Sequence, residues 1–186
     1  MRVIKLVFLA ALPCALGIMF FPKEILSLVY STQNHWQLLF MVGIMVVVMP
    51  YVQTTTAMLQ TLGSIWSPIW VTVGAVTVKT VLNFILVKTL GVEGAPLATV
   101  ISFIPALVIN TLMLKRHTSL KGGLKISAKL FIFAFVSCAA ARLIYSLKEG
   151  SLMLLLSVGV AAAVYFAVVL LTGCITREEF TGGDKE

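Results

Sequence analysis

Long apolar runs separated by short polar interruptions dominate the chain. The first runs from Val3 to Phe21, and Pro22, Lys23 and Glu24 then open a connection that closes at Ser31 to His35. From Ile25 to Val78 there is no Asp, Glu, Lys or Arg. A membrane-spanning helix needs about 20 mostly apolar residues, so this stretch exceeds one crossing and needs a polar break. Gln60 to Ser64, followed by Ser67 and Pro68, supply it. Gly91, Glu93 and Gly94 make a further turn, a basic segment runs from Lys115 to Lys129, and Lys148-Glu149-Gly150 forms a tight turn. The pattern predicts about six spans: Val3–Phe21, Leu38–Leu59, Ile69–Val87, Ala95–Leu114, Leu130–Leu147 and Ser151–Thr172. The tail from Arg177 to Glu186 is polar.

These runs are continuous, without the two-residue alternation of a barrel wall. In hydrocarbon a helix satisfies its own backbone within one segment. The expected fold is therefore all-α, a polytopic helical membrane protein. Composition agrees: 60% of the 186 residues are hydrophobic and 11% charged, well short of the ~25% charged residues usual in soluble domains. Arg2 and Lys5 ahead of an apolar run resemble a signal peptide, and Pro13-Cys14 hints at a lipoprotein site. The run is long, however, no A-x-A site follows, and no small residue precedes the cysteine, so a first span is the better reading. Cys14, Cys138 and Cys174 are scattered and odd in number, which points to neither a disulfide framework nor a zinc site.

The net charge is +7. In a soluble protein that would suggest nucleic acid, but here the basic residues gather at span ends and no nucleic-acid partner is expected. With the 115–129 segment in the cytoplasm, both termini also fall inside. Arg2, Lys5, Lys115, Arg116, Lys121, Lys125, Lys129, Arg177 and Lys185 then lie inside, against Lys23, Lys88 and Lys148 outside. That bias is what the positive-inside rule requires. The expected location is the cell membrane, multi-pass, with membrane lipids as partners. The basic segment also suits anionic lipid head groups.

Ionisable residues deep in a span are functional hypotheses by default. Lys79 is nine residues from the boundary lysine Lys88, or roughly 13 Å below it at about 1.5 Å per residue. Snorkelling covers only part of that depth. Lys79 is therefore a candidate for a solvated substrate cavity or for a buried structural pairing. Asn83, at i+4, and Thr72, at i−7, share its face. Arg142 is six residues from Lys148 and is placed to snorkel to the surface. In the second span, Gln53, Thr56 and Gln60 share a face after Pro50. Such residues join helices in membranes at about 0.6 to 2 kcal/mol each, or line a cavity. Small residues in the fourth span (Ala95, Ala98, Thr99, Ser102) and the sixth (Gly159, Ala163) suit close helix contacts. No predicted span contains Asp or Glu, and the chain lacks H-E-x-x-H, a Ser/His/Asp set and a phosphate-cradling glycine loop. No enzyme activity, catalytic residue, metal or cofactor is expected.

The segment from Gln60 to Gly63, followed by Lys79 through Asn83, Gly91, Gly94, Ala95, Ala98 and Thr99, resembles the second half of polysaccharide and lipid II flippases. These belong to the multidrug/oligosaccharidyl-lipid/polysaccharide (MOP) superfamily, which has a MATE-like fold. The likeness is strongest to the stage V sporulation protein B subfamily, and the close from Thr172 to Phe180 is similar as well. The resemblance implies that residues 1–114 are the last four helices of a C-terminal lobe. It makes 115–129 a basic cytoplasmic loop, 130–172 a terminal helix pair that forms a lipid-tail groove (Arg142 being its candidate), and 173–186 a polar cytoplasmic tail. It implies translocation of a lipid-linked oligosaccharide or peptidoglycan precursor by alternating access, with Lys79 and Asn83 near the central cavity. The N-terminal lobe of such proteins is absent from this sequence, so the expected partner is that lobe, on the same longer chain or a separate subunit. The alternatives are a multidrug efflux half of the same superfamily and a non-transporting helical scaffold or regulator.

Overall fold

The computed structural model describes residues 2–64, 66–117, 121–147 and 150–171; side chains are described at these positions except 2, 121–127, 147, 151, 152 and 171. Every regular element in them is helical: α1 (Arg2–Phe20), α2 (Pro22–Tyr30), α3 (Trp36–Thr61), α4 (Trp66–Leu90), α5 (Gly94–His117), α6 (Lys121–Leu147) and α7 (Ser151–Leu171), with a 3₁₀ turn at Gly91–Glu93 between α4 and α5. Among the described residues five stretches are long and apolar enough to cross a membrane, and one of them, Trp66–His117, contains both α4 and α5. As one helix its 52 residues would reach about 78 Å, more than twice the ~30 Å hydrocarbon core. The turn at Gly91–Glu93 folds it into two crossings, giving six.

The breaks fall where the sequence puts them. Gly63 (φ +84°) follows α3 and Gly91 (φ +66°) follows α4, backbone conformations that glycine adopts without steric cost. Two boundaries differ. The connection after α1 holds a nine-residue helix, α2, with Pro22 at its first position, where a missing N–H costs nothing. The 115–129 segment is largely helix rather than loop: α5 continues to His117 and α6 begins at Lys121. Lysine and arginine are good helix formers, and beyond the hydrocarbon nothing prevents a helix from carrying them. Gly122 and Gly123, expected mid-loop, fall in the first turn of α6, where N–H groups lack intrahelical acceptors anyway.

The helices pack as a row. α4 leans on α5, α5 on α3, α3 on α1, α1 on α6, and α6 on α7. The core is correspondingly divided. Leu9, Leu12 and Leu16 of α1 meet Leu130 and Ala134 of α6 and Tyr165 of α7. Ile4, Leu59 and Leu114 join α1, α3 and α5, and Val52, Ala75 and Ala106 join α3, α4 and α5. α5 buries Gly94, Ala98, Ser102, Ala106, Asn110 and Leu114, one residue every four. This mostly small ridge allows close approach. Ala98 and Ser102 do what the sequence suggested. In α7 the inward residues are Ser157, Ala161, Tyr165 and Val169, while Gly159 and Ala163 are exposed. The expected small-residue contact through Gly159 and Ala163 is thus replaced by the opposite face, where Ser137 donates to the Ala161 carbonyl at 2.6 Å.

Candidate functional site

α4 stands at one end of the row, with α5 as its main neighbour. Only Pro68 and Ala75 of its residues are fully buried. Trp66 and Trp70 are exposed near its start and Lys88 near its end, a pairing that suits interfacial anchors at the two bilayer faces. Trp66 to Lys88 measures about 33 Å along a helix, close to the ~30 Å hydrocarbon thickness. Lys79 falls near the middle of a helix long enough to span that thickness. It is half-buried, Asn83 is half-buried and Thr72 is exposed. All three flank the stripe of α4 that carries Ala75. The Thr72 hydroxyl donates to its own helix at the Pro68 carbonyl, 2.8 Å away. The Asn83 Oδ1 is buried, and among the described residues nothing donates a hydrogen bond to it. Among the described residues no carboxylate pairs with Lys79. A cation at the centre of a span costs about 2.5 to 3.5 kcal/mol on insertion scales if it meets lipid.

The α3 trio is divided. Gln53 and Gln60 are exposed, whereas Thr56 is half-buried and accepts a 2.8 Å hydrogen bond from the Asn110 side-chain amide of α5. No hydrogen bond joins this trio to the Lys79 set among the described residues. Asn110 anchors a polar seam that the sequence reading missed. Its amide also lies 3.5 Å from the Val52 carbonyl and from the Thr55 hydroxyl. One residue along α5, the Thr111 hydroxyl meets the Tyr51 hydroxyl at 2.9 Å. Asn110 is only 1% exposed. The signal was present in the sequence: Asn110 falls on the four-residue repeat of Ala98, Ser102 and Ala106.

The Arg142 side chain is 45% exposed. It forms an ion pair and hydrogen bond with Glu24 of α2, and its guanidinium lies 5.3 Å from the centre of the Phe21 ring and 5.9 Å from that of Tyr145. It thus ties α6 to the start of α2. An apolar groove of about 910 Å³ opens elsewhere, between α1, α3 and α6, lined by residues such as Phe8, Leu12, Leu16, Val47, Phe131 and Phe135. Among the described residues no group of three or more His, Cys, Asp or Glu is placed to hold a metal ion. Cys14 is exposed and Cys138 buried, both as free thiols. Cys174 and the close from Thr172 to Phe180 lie outside the described residues.

Comparison with known proteins gives a partial likeness. The chain is 31% identical over 107 residues to the lipid II flippase MurJ of Bacillus subtilis (strain 168), a match covering 53% of this chain and 20% of that protein. The aligned part is thus about a fifth of the relative's length. No family model matches the chain, and no solved structure matches it. The chain is a helical, multi-pass membrane protein whose sequence is similar, over about half its length, to part of a lipid II flippase.

Proposed function

We propose that this chain forms part of a membrane flippase that moves a lipid-linked oligosaccharide or peptidoglycan precursor across the cytoplasmic membrane by alternating access. The partial likeness to a lipid II flippase carries this reading. The lone Lys79 near the middle of α4, on a helix with one main neighbour, supports it from the physical side. In this reading the remainder of a two-lobed transporter, on the same longer chain or a separate subunit, packs against α4. Lys79, Asn83 and Thr72 then border the cavity between the lobes, where a transporter's site belongs. A cationic side chain there suits an anionic, phosphate-bearing substrate. The groove between α1, α3 and α6 would receive its hydrocarbon tail, being apolar and of a size for a chain. Arg142, paired with Glu24, then has a structural part rather than one in the groove. Both termini face the cytoplasm in this reading, in keeping with the distribution of Lys and Arg. The subfamily assignment to stage V sporulation protein B rests on the short sequence matches alone.

The test is Lys79→Ala in vesicles where the complete transporter is active. Translocation of the lipid-linked precursor should fall severalfold, with abundance and insertion unchanged, because a cavity lysine does not set topology. Unchanged flipping at normal abundance rejects the role given to Lys79.

A further inference from the structure

Where α1 ends, the chain does not turn straight into α3. It makes the short helix α2, Pro22–Tyr30. Phe21 and Pro22, at its start, are buried. Ile25 packs inward against the cluster of Phe21, Ala141, Leu154 and Ala161. At helical spacing from Ile25 come Leu28 and Val29, and Tyr30 follows Leu26 by one turn. The last turn of α2 is therefore bare on more than one side: Leu28 is 44% exposed, Val29 62% and Tyr30 71%. The polar side of α2 is fastened. Glu24 pairs with Arg142 of α6, and the Lys23 ammonium sits 5.2 Å from the centre of the Trp36 ring at the start of α3. At the far end, Ser31 takes a left-handed conformation (φ 54°) and its N–H closes the helix on the Ser27 carbonyl at 3.1 Å. The direction of the bare edge is thereby fixed.

We infer that α2 is an interfacial helix whose Leu28–Tyr30 edge docks into the headgroup–acyl boundary of the bilayer, with the Glu24–Arg142 pair holding it to α6. The occupant of this edge is lipid rather than a protein, and three observations select it. The edge lies between two stretches long and apolar enough to cross a membrane, Val3–Phe20 and Trp36–Thr61. α2 ends in Tyr30 and has Trp36 against Lys23 and Tyr145 against Phe21 at its start, the residue types of an aromatic belt. The charges that accompany it, Lys23, Glu24 and Arg142, lie at the level where a span ends and head groups begin. Amphipathic helices of this kind bury their apolar face about 5–10 Å into that boundary. The docking requires a bilayer, not transport, so it stands or falls apart from the flippase reading.

The experiment uses the full chain in vesicles of phosphatidylethanolamine and phosphatidylglycerol. Cys14, Cys138 and Cys174 are replaced by serine, and a nitroxide is attached through Val29→Cys or, separately, Lys23→Cys. At position 29 collisions with oxygen should exceed those with a water-soluble nickel chelate severalfold, and at position 23 the order should reverse. Adding Arg142→Gln should raise the mobility of the label at position 29. A label at 29 that favours the nickel chelate places the edge in water and overturns the proposal. A label immobile and shielded from both reagents places it against protein, a second copy included, and overturns it equally. In the unmodified chain, a membrane-dissolved carbene probe should label residues 28–30 as heavily as the spans, and labelling no greater than at the polar turn around Gly63 again rejects lipid docking.

Discussion

Gly94→Ala tests how the α4–α5 hairpin, the element that carries Lys79, is held together. Gly94 opens α5 with an ordinary backbone conformation (φ −65°), so its lack of a side chain is a matter of space. A Cβ built there would run into the Leu86 carbonyl group and lie 2.7 Å from the Val87 nitrogen, where ordinary contact begins at 3.4 Å. These are backbone atoms of α4 and cannot rotate aside, so the hairpin itself must open. Overpacking costs about 1–3 kcal/mol, and a clash with backbone belongs at the upper end. Gly74 of α4 is the control, because a Cβ there meets nothing within 4 Å. Removing a mid-helix glycine should gain about 0.5–1 kcal/mol. The assay is unfolding of the purified chain in mixed micelles as the denaturing detergent fraction rises, followed by helix circular dichroism. Gly94→Ala should unfold at a lower fraction than the parent chain, and Gly74→Ala at an equal or higher one. A Gly94→Ala chain as stable as the parent would refute the close approach of α5 to α4, and with it the positioning of the Lys79 flank.

Two further outcomes follow from the same packing. A double-mutant cycle between Asn110→Ala and Thr56→Val should give a coupling of about 0.6 to 1.7 kcal/mol, the range of interhelical polar pairs in membranes, and zero coupling would remove the α3–α5 seam. Cysteines placed between Lys115 and Lys129 should react with a membrane-impermeant reagent only after the cytoplasmic face is opened; reaction in intact cells would invert the proposed topology.

The apolar runs determined the elements. Hydrocarbon leaves a backbone no partner but itself, so runs of about 20 apolar residues become helices whatever their neighbours are. Turns at Gly63 and Gly91 were legible for the same local reason, since both sit at positive φ. Other features were not local. Hydropathy treats every face of a span alike, because lipid and protein interior are equally apolar to it. It therefore gave no sign that α7 turns Ala161 rather than Gly159 inward, or that Thr56 leaves Gln53 and Gln60 to meet Asn110 on another helix, 54 residues away. The Glu24–Arg142 pair was hidden for the same reason, its partners being 118 residues apart. Those choices are made by which helices pack together, and only the row α4–α5–α3–α1–α6–α7 decides that. By itself the sequence determined a membrane protein of about six helices and a lysine nine residues inside the one that ends its span. Tertiary packing decided that the lysine stands on the helix at the end of the row, because burial against neighbours is a property of the assembled bundle and not of any one span.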